Sequence, residues 1–167
     1  IVTIFLFTDY RFVILIVVYT TLFLYLEYSF GKKIYKLSNE FNTFNQSAGG
    51  TYVENATNML SIKALGGESS IIESVSNKEA LSRDMGIRKV NTNNLKWRFF
   101  QLLNGITLGI FLYLVGTAVL SKIVTIGMVL VLYTYFNKLQ SYLNDVSDLH
   151  TDMIDLRSDL NQMMPIF

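Results

Sequence analysis

Phe99 to Ser121 is a run of 23 residues without a charge. As a helix, such a run is roughly 34 Å long at about 1.5 Å per residue, enough to cross the hydrocarbon core of a bilayer. An uncharged stretch of this length must be enclosed by protein on every side or sit in lipid. A second run, Phe12 to Leu26 (FVILIVVYTTLFLYL), is also uncharged, and with Glu27 tolerated it reaches Phe30, 19 residues in all. A third, Ile123 to Asn137, has only 15 residues. It attains spanning length if Lys138 snorkels and the helix continues to Leu143. Residues 1–7 are apolar and read as the end of a further span. The rival reading, a set of core helices in a soluble protein, needs polar faces to cover them. Those are scarce: 51% of the chain is hydrophobic and 16% charged, against roughly 25% charged in an ordinary soluble domain. No small-residue cleavage site follows the first run, so a removable signal peptide is not expected. The chain opens on Ile1 and closes on Met163-Met164-Pro165-Ile166-Phe167, which reads as an internal fragment.

Charge orients the spans. Residues Lys32 to Arg98 hold ten of the 14 Lys and Arg, while the turns on the other side carry only Arg11 and Lys122. The positive-inside rule therefore expects 32–98 in the cytoplasm, with Tyr25, Tyr28 and Trp97 in an interfacial belt. Two glycosylation triplets, Asn45-Gln46-Ser47 and Asn55-Ala56-Thr57, would matter only on the opposite side, and are expected to be chance occurrences in an Asn-rich loop. A net charge of +1 gives no reason to expect nucleic acid. With no Cys and one His, cysteine nucleophiles, disulfide frameworks and multi-histidine metal sites are excluded.

A loop of this length should carry structure of its own. Ile34, Leu37, Phe41, Phe44, Ala48, Tyr52, Ala56 and Met59 recur three or four apart, so the helix leaving the first span is expected to continue well into the loop. Gly49-Gly50 is expected to interrupt or kink it, at about 2 kcal/mol relative to two alanines. Gly66-Gly67 marks a turn, after which a second helix returns toward Trp97. Past Leu143, a third helical repeat (Leu143, Val146, Leu149, Met153, Leu156, Leu160, Met163) lies beside an acidic stripe of Asp145, Asp148, Asp152, Asp155 and Asp159. These carboxylates are expected to be solvated rather than to hold a metal. The segment from Lys138 is net −3 and the loop 32–98 net +4, so the two are expected to lie side by side.

The segment from Glu54 to Glu68, ENATNMLSIKALGGE, resembles the second intracellular loop of type I ABC exporters. Glu54, Lys63, Ala64, Leu65, Gly66 and Glu68 fall at that family's offsets: Glu, nine residues on a Lys or Arg, then Ala, an aromatic or Leu, Gly, any residue, and Glu or Gln. The flanking hydrophobic hairpin and the two later spans agree. The resemblance implies an all-α membrane protein whose long transmembrane helices extend into the cytoplasm. This chain would be a partial type 1 transmembrane domain, from the end of the third to the end of the sixth transmembrane helix: 1–7 the end of a span, 12–30 a span, 31–98 a cytoplasmic helical loop, 99–121 and 123–143 spans, and 144–167 a cytoplasmic helix leading to a missing nucleotide-binding domain. The prolines frequent in the family's fourth and sixth helices are absent, so the sixth is expected to be straighter than usual.

The resemblance also implies a coupling helix near 61–66, docking into a groove on a nucleotide-binding domain of the same or the partner subunit. Ser61, Ile62, Lys63, Ala64, Leu65, Gly66 and Glu68 would form it. Leu65 would be the apolar knob, Ala64 would allow close approach, Lys63 and Glu68 would edge the contact, and Gly66-Gly67 would turn the chain at positive φ. The plain alternative is a capped surface turn. Glu54 is either solvated or an inter-helix contact. Glu27 is expected to snorkel to the interface rather than serve a proton relay, and His150 to be solvated or interhelical. Gly105, Gly109 and Gly116 share a face and are expected to pack within the bundle. No GxxxxGK[ST] pattern occurs, so the fragment itself is expected to have no catalytic residues, cofactor or metal. The full protein, with ATP and Mg at the missing domain, is expected to be an ATP-hydrolysing translocase in the plasma or inner membrane, working as a homo- or heterodimer. Lipids, drugs or hydrophobic peptides would suit its apolar helices. The alternative is a non-transport receptor or scaffold module with dimerising cytoplasmic helices, which a phosphate-binding loop encoded downstream would exclude.

Overall fold

The computed structural model describes residues 9–163 apart from residue 123, without the side chains of Ser61, Leu65, Glu68, Gln162 and Met163. The expected span end at 1–7 lies outside the described residues. The elements are all helices: α1 (Tyr10–Thr57), α2 (Met59–Leu65), α3 (Glu68–Leu120) and α4 (Ile126–Met163). Asp9 caps α1, its carboxylate accepting the Arg11 N–H at 3.0 Å, and Thr125 caps α4, its carbonyl accepting the Met128 N–H at 3.0 Å. Both satisfy donors that a helix start leaves open. α3 ends where Lys122 takes a left-handed φ of 58°, its N–H returning to the Val119 carbonyl at 3.0 Å. The third apolar run thus becomes helical at Ile126, three residues after its expected start at residue 123. The expected interruption at Gly49-Gly50 is absent: α1 runs through both glycines. Asn45 and Asn55, of the two glycosylation triplets, also lie inside that helix.

Two compact units divide the chain: Ile1–Phe30 with Asn94–His150, and Gly31–Asn93 with Thr151–Phe167. In the first, α1 buries one stripe at helical spacing, Phe12, Ile16, Tyr19, Phe23 and Glu27. Phe12 and Ile16 join Phe111, Val115, Leu132 and Phe136 in one cluster; Tyr19 and Phe23 join Phe100 and Leu143 in the next. Aromatic rings interlock the layers, Phe111 stacking on Phe136 at 4.4 Å and Phe23 on Phe100 at 4.1 Å between centroids. Such pairs are worth about 0.5–1.5 kcal/mol each beyond the area they bury. The outward faces are apolar as well: the most apolar window of α1 is 28% buried and that of α3 22%. Helices of a soluble core would be mostly covered, whereas most of these two windows is not. Among the described residues α1 and α3 are long and apolar enough to cross a membrane; the apolar stretch of α4 is shorter and contains the exposed Lys138. Among the described residues, a Cβ built at Gly105, Gly109 or Gly116 meets nothing within 4 Å.

The second unit is held by small and polar groups. Ala48, Ser38, Ser82, Thr92, Ile34, Ile154 and Ser158 are buried, and Gly86 admits the Phe41 ring to 3.2 Å from where a Cβ would stand. Asp155 accepts hydrogen bonds from Ser38 Oγ at 2.8 Å and from Lys89 Nζ at 2.7 Å. Asn42 Nδ2 donates to Ser158 Oγ at 2.9 Å and to Asp159 Oδ1 at 2.7 Å. The acidic end of α4 therefore lies against the 31–93 segment, as opposite charges required. The repeat on α4 divides, however. Leu143 is buried, while Val146, Leu149, Met153, Leu156 and Leu160 are 50–65% exposed. The inward face combines Leu143 and Ile154 with Ser147 and Ser158, the small hydroxyl side chains letting helices approach and bond where leucines would hold them apart.

Candidate functional site

In the second unit a short helix joins two long ones. α1 ends at Thr57, and Asn58 begins α2, its carbonyl accepting the Ile62 N–H at 3.0 Å. The Asn58 side chain makes no cap hydrogen bond. After seven helical residues α2 stops at Gly66, which takes φ 67° and ψ 23°. The Gly66 N–H donates to the Lys63 carbonyl at 3.3 Å and the Gly67 N–H to the Ile62 carbonyl at 3.2 Å. This is the paired closure of a Schellman turn, which satisfies carbonyls that a helix end would leave open. Of the two glycines only Gly66 needs positive φ; Gly67 instead offers its carbonyl to Ile71 at 3.3 Å as α3 begins. Lys63, in the last turn, complements the negative end of the helix dipole.

The expected site residues fall on this tip. Ser61, Ile62, Lys63, Ala64 and Leu65 are helical, with Ile62 half-buried and Lys63, Ala64 and Gly66 exposed. The side chains of Ser61, Leu65 and Glu68 lie outside the described residues. Glu54 is exposed near the end of α1. The tip carries more apolar surface than Leu65 alone would give it: Leu60 is 87% exposed and Ile72 69%. Asn55, Met59, Ile62, Lys63, Ile71 and Ile72 line a cleft of about 300 Å³. Leu60 and Ile72 were hidden in the sequence because the period of α1 was extended through Met59, whereas the chain breaks at Asn58 and restarts in a new phase. A short way back along the same helices, Tyr52 donates to the Glu79 carboxylate, which raises its phenol above the usual tyrosine range. Lys78 Nζ donates to Thr51 Oγ1 at 2.6 Å.

The first unit holds a second polar constellation. Glu27 does not snorkel. It is 6% exposed, and its carboxylate accepts from Ser147 Oγ at 2.5 Å and faces His150 Nδ1 at 2.7 Å and Lys96 Nζ at 3.5 Å. Lys96 is fully buried; its ammonium donates to Ser147 Oγ at 3.0 Å and sits 5.6 Å from the Trp97 ring centroid. Three helices thus each contribute to one buried group. A carboxylate supplied with donors on both oxygens is better placed there than one stripped of partners, which is the physical reason it stays inside. His150 is interhelical, its Nδ1 facing Glu27 Oε1. The signal was present in the sequence: Glu27 stands four residues after Phe23 on the buried stripe, and Ser147 stands four after Leu143. Nearby, Tyr19 Oη donates to Asn104 Oδ1 at 2.6 Å.

Comparison with curated proteins gives no match. Residues 1–143 match the family model described as the ABC transporter transmembrane region. That match covers most of the chain and agrees with its all-helical build and its two helices of spanning length: the chain belongs to the ABC transporter transmembrane-region family.

Proposed function

We propose that this chain forms half of the translocation pathway of an ATP-driven exporter and transmits nucleotide-driven movement through α2. The observation that carries the reading is a seven-residue helix, closed by a glycine in the left-handed region, set between two helices of 48 and 53 residues. Such a tip has too little local core to bury its own apolar groups, and its cleft and exposed Leu60 suit a groove on a nucleotide-binding domain. ATP and Mg would bind that domain, not this chain. On this reading 32–98 lies in the cytoplasm, α4 supplies a further span through residues 126–143, and two copies, or this chain and a related one, complete the pathway.

The test is Leu65→Asp in the full-length protein. Burying a leucine in a groove is worth about 1.5–3 kcal/mol, and an aspartate would instead bring a charge without a partner. Substrate-stimulated ATPase and transport in proteoliposomes should both fall, at unchanged expression and thermal stability. Wild-type levels of both would reduce α2 to a surface turn.

A further inference from the structure

The three long helices of the first unit turn different backs outward. Opposite its buried stripe α1 exposes Ile14, Val17 and Leu24, and α3 exposes Leu102, Ile106 and Tyr113. α4 departs from this pattern. Opposite its buried Leu132, Phe136 and Leu143, the exposed residues at steps of four, three and four are Thr134, Lys138, Ser141 and Asp145. The exposed Leu130 and Tyr142 border this polar strip on its two sides. Thr134 Oγ1 donates to the Leu130 carbonyl at 2.8 Å, and the Lys138 ammonium lies 5.9 Å from the Tyr135 ring centroid. Among the described residues Lys138 has no ion pair, and the side chains of Ser141 and the adjacent half-buried Asn137 make no hydrogen bond. Glu27 faces Lys96, and 99–121 holds no charge. Among the described residues Lys138 is therefore the one unopposed charge in 12–30, 99–121 and 126–143.

Lipid tails offer none of these groups a partner. A lysine alone could snorkel, but Lys138 stands about 7.5 Å along the helix from Leu143, and snorkelling leaves Asn137 and Ser141 unserved. A water-lined path serves all three. The charge then selects the occupant. Lys138 brings three N–H donors, Asn137 two and Ser141 one, and residues three apart on a helix stand about 5–6 Å apart at Cβ, close enough to share one oxyanion. Asp145 lies about 10.5 Å further along the helix, so the strip is cationic at depth and acidic only past Leu143. Leu130, Tyr135 and Tyr142 offer apolar surface beside it. We propose that this strip faces the translocation path and that Lys138, with Asn137 and Ser141, holds the anionic group of an amphiphilic substrate. The inference rests on the exporter reading above and narrows its substrates to amphiphiles that carry a carboxylate or a similar oxyanion.

The experiment is thiol labelling of the full-length protein in permeabilised membranes, in a cysteine-free background. Ser141→Cys reports on the strip and Ile106→Cys on the apolar back of α3. The probes are two water-soluble thiosulfonates of similar size, one ending in a sulfonate and one in a trimethylammonium. Ser141→Cys should react much faster than Ile106→Cys, because the thiolate forms only where water reaches. It should also favour the sulfonate reagent. Adding Lys138→Gln should shift the ratio of the two rates about tenfold toward the cationic reagent, the effect of one unit charge about 6 Å away in water on reagents of opposite sign. Lys138→Arg should keep the preference. Dodecanoate should slow the labelling of Ser141→Cys, dodecanol should not, and Lys138→Gln should abolish that protection. Equally slow reaction at both cysteines would place the strip against lipid and overturn the inference. So would a ratio unmoved by Lys138→Gln, protection by both amphiphiles or by neither, or a Ser141→Cys that cross-links to its own copy instead of labelling. If ATP-dependent transport persists in any of these cases, the exporter reading stands without the site. A charge-biased, dodecanoate-protected strip in a protein without such transport would overturn the exporter reading alone.

Discussion

At the scale of single residues, Glu27 and Gly66 carry opposite lessons. Glu27→Ala removes the carboxylate beside the fully buried Lys96. Breaking a buried pair in this way costs about 3–5 kcal/mol, so thermal unfolding of the purified protein in detergent should shift sharply downward. Glu27→Leu combined with Lys96→Met should recover most of the loss. A single variant within about 1 kcal/mol of wild type would show that the cluster contributes little. Gly66 meets no neighbour within 4 Å of a built Cβ, so only its backbone conformation is at stake. Gly66→Ala should destabilise by about 1–2 kcal/mol, the usual cost of an L-residue in the left-handed region, and Gly66→Asn by less. Gly66 was legible because φ is a property of residue type. Glu27 was misread because a lone carboxylate near a membrane edge looks solvated, and its partners stand 69, 120 and 123 residues away.

Elements were legible where period and burial coincide, as in the α1 stripe from Phe12 to Phe23, and misleading where they separate, as in α4. There the apolar repeat past Leu143 faces outward, since Ser38, Asn42 and Lys89 bond Asp155, Ser158 and Asp159 on the other side of the helix. Gly49-Gly50 shows the reverse error: the helical cost of two glycines is small against the tertiary packing of a 48-residue helix. Lys122 is a weak joint between α3 and α4. It holds φ 58° without being glycine, so Lys122→Gly should raise stability by about 1 kcal/mol, read as a higher midpoint in thermal unfolding; an unchanged or lower midpoint would show that the Lys122 side chain matters more than its backbone.

For the whole molecule, orientation in the membrane follows from charge and has a direct check. Cysteines placed at Ser70 or Asn93 should resist an impermeant thiol reagent in intact cells, because 32–98 is expected on the inner side. Labelling as fast as at Ser121 would reverse the assignment. The helical membrane build was readable from the missing charges, and the family from the Glu54–Glu68 segment taken together with the flanking spans. The division into an aromatic unit and a polar one was not readable, because it depends on which parts of α1, α3 and α4 meet.

The cluster around Glu27 also imposes an order on biosynthesis. Glu27 is made first, Lys96 next, and Ser147 and His150 last. At roughly 5–20 residues per second, the carboxylate waits on the order of ten seconds for the α4 side of its surroundings. During that interval α1 must enter the bilayer with Glu27 protonated, hydrated or held by the insertion machinery. A ribosome stalled before residue 147 should therefore leave α1 more easily extracted from the membrane than one stalled after residue 150 has emerged, a difference in timing that the finished bundle conceals.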